Sequence, residues 1–189
     1  MLRLRRPLRA FARDRRGVSA VEFALVAPIM IVVFMGTIEL PRAYATKQRL
    51  VRATRAMADL ISRGSLTSVD DIYAAGRAVM YPTDASGSGI VLTAAGVYQL
   101  SNKAYQARVC SSTADKATRR AVNSILGDPP PSEAAVNARY MMAEMTVRYV
   151  PVFNLFPALT NLTLSQTTTW PVRSVTGAAV ILPGGAACP

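Results

Sequence analysis

An α+β protein is expected from this sequence: a long N-terminal helix that enters a membrane, followed by a small, mostly antiparallel sheet. Three observations predict it. Residues 23–38 (FALVAPIMIVVFMGTI) form an uncharged apolar run. The twenty residues after Arg42 keep an apolar stripe at helical spacing, and residues 141–149 alternate apolar with polar side chains.

At 189 residues with 51% apolar content, the chain can bury one modest core besides an anchor. The expected organisation is a basic leader over residues 1–17, a transmembrane helix over 18–41 and an extracytoplasmic domain over 42–189. Net charge is +11, and Arg3, Arg5, Arg6, Arg9, Arg13, Arg15 and Arg16 against Asp14 put +6 of it into the first sixteen residues. The charge thus marks an N-terminal flank, and nucleic acid is not the expected partner.

The anchor is read from the apolar run. Counted with its flanks it approaches the ~20 helical residues that span a bilayer. Its nine Leu, Ile, Phe and Val residues supply about −3 to −5 kcal/mol of insertion free energy if Glu22 and Glu39 stay near the interfaces. Pro28 removes one backbone hydrogen bond, which a membrane helix tolerates with a kink. Beyond it, Leu50, Ala53, Met57, Leu60 and Ile61 form one stripe, and Arg55, Asp59 and Arg63 lie at i, i+4 on another face. The helix should therefore continue out of the membrane and stop at Gly64.

Ser68 caps an expected second helix through Ile72, Ala75 and Val79 that ends before Pro82. Residues 89–100 and 104–110 read as a hairpin across Ser101, Asn102 and Lys103. A short helix is expected over 115–126, stopped by Gly127. The clearest strand is 141–149, with residues 162–170 as its partner and the apolar connection 150–159 between them, either covering the sheet or touching a membrane or neighbouring subunit. The Gly/Ala/Pro-rich tail, 177–189, needs something to hold it.

Three processing fates fit the N-terminus. Signal cleavage after Ala43-Tyr44-Ala45 leaves Glu39, Pro41 and Arg42 awkwardly placed between the apolar run and the cut. A plain uncleaved anchor leaves Glu22 unexplained, except as an interfacial carboxylate that stabilises a helix start. The third fate follows from Arg15-Arg16-Gly17-Val18-Ser19-Ala20-Val21-Glu22-Phe23: a basic leader, a glycine, a glutamate five residues on, then an aromatic.

That segment resembles the TadE family of Flp/Tad pilus pseudopilins, well over residues 13–63 and only in general layout beyond. The resemblance implies a membrane-anchored, non-enzymatic subunit of the bacterial inner membrane, its C-terminal domain outside the cytoplasm or in a pilus. A prepilin peptidase would cut after Gly17 and free an amine at Val18. Glu22, beside Phe23, would neutralise a neighbour's amine during assembly, and a carboxylate in the first turn suits the helix dipole. Implied partners are other pilin or pseudopilin subunits, the Tad assembly machinery, the peptidase and membrane lipid. Basic residues on both sides of the span give the positive-inside rule only a slight lean; the short leader and the cysteines put residues beyond 40 outside. The alternative is an uncleaved, membrane-anchored adhesion or binding module.

Histidine is absent and the eight carboxylates beyond Glu39 are scattered apart from Asp70 and Asp71, which excludes the commonest acid–base and metal chemistry. No cofactor is expected. Cys110 and Cys188 are too few for a zinc site, and a disulfide between them would hold the tail, with two unpaired thiols as the alternative. Asp84-Ala85-Ser86-Gly87-Ser88 matches the first element of a metal-dependent adhesion site, but Pro82 and the short remaining chain argue for a loop.

Overall fold

The computed structural model describes residues 17–64, 68–153, 157–173 and 181–183. The chain divides into two compact units, Met1–Arg42 and Ala43–Pro189. Helix α1, Val18–Ser62, contributes to both.

Within the first unit α1 carries large apolar side chains facing outward on all sides, among them Phe23, Ile29, Val33 and Phe34. Pro28 and Pro41 both lie inside the helix. With a mean hydropathy of 2.3 over its most apolar eighteen residues, the helix is long and apolar enough to cross a membrane, which supports single-pass anchoring.

The second unit is built on the other end of α1. Leu50, Ala53, Met57, Ala58 and Ile61 are fully buried, so the expected stripe is the helix's core face, with Leu60 only partly covered. The helix ends as expected: Gly64 takes a positive φ of 68° and its N–H donates to the Ile61 carbonyl at 3.1 Å. Helix α2, Val69–Val79, starts at Ser68, whose Oγ accepts from the Asp70 N–H at 3.2 Å. Its buried positions are Ile72, Tyr73 and Gly76, while Val79 is exposed. The glycine permits close approach. A Cβ at Gly76 would sit 2.3 Å from the Met57 sulfur.

A five-stranded antiparallel sheet completes the unit: β1 Gly89–Gln99, β2 Tyr105–Asp115, β3 Ile125–Gly127, β4 Arg139–Arg148 and β5 Thr163–Pro171, in the order β3-β2-β1-β4-β5. The hairpin and the strand pair expected from the sequence are present. Helix α3, Pro157–Thr160, is a single turn before β5. One sheet face, with Ile90, Leu92, Ala94, Met141, Ala143, Met145 and Val147, packs in one core with the α1 stripe and α2. The opposite face carries a smaller core of Ala95, Val97, Ala107, Tyr140 and Met142. This second core explains why β4 buries residues of both parities over its first half and alternates only from Glu144 onward.

The helix expected over 115–126 is not formed. Strand β2 runs on to Asp115, and Lys116 and Asn123 adopt positive φ of 53° and 65°. The backbone beyond pairs with β2 instead: Asn123 N–H donates to the Val109 carbonyl at 2.7 Å, and Val109 N–H to that of Ser124 at 3.0 Å. Helix propensity yields to sheet pairing there.

Candidate functional site

The residues singled out in the N-terminal segment lie along the first turns of α1. Gly17 is exposed, just ahead of the helix, with open space where a Cβ would be. Val18 is the first helical residue. Glu22 is exposed, and Phe23 is 73% exposed beside it. Since α1 begins at Val18, Glu22 is its fifth residue and no acidic residue lies in the first turn. That corrects the dipole argument, because the macrodipole's pull falls off within the first turn. The arginine leader, residues 1–16, lies outside the described residues.

Glu39, at the other end of the apolar run, differs from Glu22 in being only 1% exposed. Burial of a carboxylate is tolerated when it is partnered, and Glu39 does take part in a polar interaction. Its sequence position gave no sign of this.

Cys110 sits at an irregularity in β2, where Ala94 pairs with Ser111 but Ala95 with Val109, so that Cys110 is the extra residue of a bulge. It is 5% exposed. Cys188 lies outside the described residues. The tail does reach β2: the N–H of buried Leu182 donates to Ser111 Oγ at 3.0 Å, next to Cys110 in sequence.

Elsewhere the polar side chains make structural pairs. The Asp84 carboxylate accepts from the Ser86 N–H at 2.8 Å, and that bond holds its pKa below the usual carboxylate range. Arg120 makes a two-pronged contact with Glu144, 2.8 Å from Nε and 2.7 Å from Nη2, which raises the guanidinium pKa. Sequence reading missed this pair because twenty-four residues separate its members. Among the described residues no group of three or more Cys, Asp or Glu could hold a metal ion.

No curated protein and no solved structure matches the chain. Residues 17–59, which carry Gly17, Glu22 and the apolar helix, match the family model described as TadE-like protein, a likeness that covers this N-terminal segment alone.

Proposed function

We propose that this chain is a pseudopilin-type subunit for assembly of a Flp/Tad pilus, anchored in the bacterial inner membrane by α1 with residues 43–189 outside the cytoplasm. One observation carries the reading. The family match begins at the glycine that precedes an exposed apolar helix, with Glu22 near its start. A prepilin peptidase cuts after Gly17, which is exposed and has nothing among the described residues within 4 Å of where a Cβ would be, and the mature protein starts with the amine of Val18. Glu22 then supplies a counter-charge to a neighbouring subunit's amine, which its exposure permits. The chain acts by association with other pilin-like subunits and the Tad machinery; it is not an enzyme.

Cys110 and Cys188 form a disulfide in this reading. Leu182 seated on Ser111 brings the tail to the strand that carries Cys110, and six residues remain to reach back. Such a bond would close a loop of about eighty residues and add roughly 4 kcal/mol in the chain-entropy model. Thiol labelling of natively exported, denatured, non-reduced protein should find neither cysteine reactive.

N-terminal sequencing of protein recovered from membranes tests the main reading. An N-terminus at Val18 supports it, Thr46 means a secreted product, and an intact Met1 means a plain anchor. Gly17→Phe should leave a slower-migrating precursor still in the membrane. Glu22→Ala should insert at least as well as wild type, since an interfacial charge only adds to the cost of entering lipid, yet it should assemble poorly. Normal filament assembly by Glu22→Ala would remove the counter-charge role.

A further inference from the structure

Between α1 and the edge of β5, which pairs with no further strand among the described residues, runs an open groove of about 550 Å³, lined by Val51, Arg55, Gln166, the threonines 167–169 and Trp170. Its hydrogen-bonding character follows from register. The Tyr149 N–H donates to the Leu162 carbonyl, so even-numbered residues of β5 turn their backbone toward β4 and odd-numbered ones turn outward. The outward carbonyls of Ser165 and Thr167 are already taken, by Lys47 Nζ and by the Gln166 side chain respectively. Among the described residues the groups left along this stretch are the outward N–H groups of Ser165, Thr167 and Thr169, together with the outward carbonyl of Thr169 at its far end. Trp170 adds an indole N–H that is buried without a hydrogen-bond partner among the described residues.

Charge points the same way. Lys47 lies at the Ser165 end, Arg55 in the wall, and Arg173 over the Trp170 ring at 5.4 Å. Asp59 faces this region but is shared by Arg63 at 2.6 Å and Arg173 at 3.2 Å. Four cations thus stand against one carboxylate, a balance of +3. A side-chain clamp on edge carbonyls is a usual defence against indiscriminate strand pairing. At Ser165 and Thr167 it blocks donors from a ligand while leaving acceptors welcome.

We propose that this groove docks an extended acidic segment of a partner protein, added along β5 with its carbonyls on the outward N–H groups and its carboxylates on Arg55 and Lys47. Outward N–H groups two residues apart recur at about 6.8 Å, the repeat at which an extended peptide presents carbonyls on one side. The inference rests on the reading of the chain as an assembling subunit only for who supplies the segment. The docking is independent of where the leader is cut, so N-terminal sequencing and the experiment below can fail separately.

Trp170 is the protein's single tryptophan and reports directly. The full chain in neutral detergent micelles should be titrated with a capped hexapeptide of alternating Val and Glu, and with its Val/Gln counterpart. A saturable change in Trp170 emission with the acidic peptide, weakening with salt, is expected, together with amide shifts at Ser165, Thr167 and Thr169. Arg55→Glu should weaken binding about tenfold. Arg148→Gln, on β4 outside the groove, should leave it unchanged. Equal binding of the Val/Gln peptide, unaltered affinity in Arg55→Glu, or no saturation would overturn the proposal. So would phosphatidylglycerol nanodiscs that shift the same amides, with phosphatidylcholine nanodiscs silent, because the groove would then serve an anionic lipid surface.

Discussion

The two ends of helix α1 obey different rules on one backbone. Over residues 21–34 apolar side chains face outward on every side, with Val21 62% and Phe34 63% exposed. From Leu50 onward one stripe of apolar residues, Leu50, Ala53, Met57, Ala58 and Ile61, is at 0% exposure, while Arg52 and Arg55 are exposed. A helix apolar all round is composed for lipid; one with a single stripe is composed for water and a core. The medium each half was built for is therefore legible before any contact is counted. Breaking one half should leave the other standing.

The largest expected effect is on the lipid half. Replacing Ile31 and Val33 together by lysine adds about 5–7 kcal/mol near the centre of the run, more than the roughly 3–5 kcal/mol that its apolar residues supply. The variant should leave the membrane fraction on carbonate extraction, while the sheet signal of residues 43–189 in circular dichroism persists. Joint loss of both would show that the two units do not fold separately.

Elements whose cause is local were legible in the sequence: the apolar run, the stripe, the Ser68 cap, the Gly64 stop, and the alternation of 141–149. What failed had non-local causes. The segment after Asp115 has a helix former's composition, yet Val109, many residues earlier, takes its hydrogen bonds. Val79 fits the helical period of α2, but the buried positions of that helix are Ile72, Tyr73 and Gly76, with Gly76 against Met57 of α1 and the Tyr73 hydroxyl on Thr113 of β2. For the site, the glycine and glutamate were readable as a motif. The groove was not, since its walls come from residues more than a hundred positions apart.

The next effect sharpens the comparison on the core half. Met57 is fully buried and its sulfur occupies the space that a side chain at Gly76 would need. Met57→Ala should cost about 2–4 kcal/mol of the second unit's stability, and Gly76→Val about 1–3 kcal/mol by overpacking. Gly76→Ala should destabilise despite alanine's better helix propensity, and should recover when combined with Met57→Ala. Thermal melts followed by circular dichroism would read the cycle; strictly additive losses would mean the two residues do not compete for space. Membrane insertion should not change in any of these variants.

Smaller still is the ion pair on the opposite sheet face. Arg120 and Glu144 are partly exposed, at 39% and 22%, so water screens their attraction. Arg120→Ala should lower stability by about 1 kcal/mol even though the contact is two-pronged. A loss above roughly 3 kcal/mol, the range of buried pairs, would show the site to be drier than its exposure suggests.

The smallest effect concerns pH, where the halves should again part. Residues 23–38 contain no titratable side chain, so the lipid half has nothing in its interior to respond. The core half has Tyr140 and Tyr73. Burial pushes both phenols above their ordinary pKa; beside Tyr140 only Arg120 opposes the shift. At Tyr73 the hydrogen bond to Thr113 and the charge of Arg77 oppose it, while Asp115 and Asp70 reinforce it. A group whose folded pKa is raised favours the protonated fold. Its contribution is complete below the unfolded value of about 10 and is lost as pH climbs through the folded value. Denaturant unfolding should thus give constant stability from pH 8 toward about 10, then a decline. Tyr140→Phe isolates the phenol: the decline should become shallower and stability at neutral pH should stay near wild type, because no hydrogen bond from the Tyr140 hydroxyl is found among the described residues. An equally steep decline in Tyr140→Phe would place the alkaline sensitivity elsewhere in the sheet.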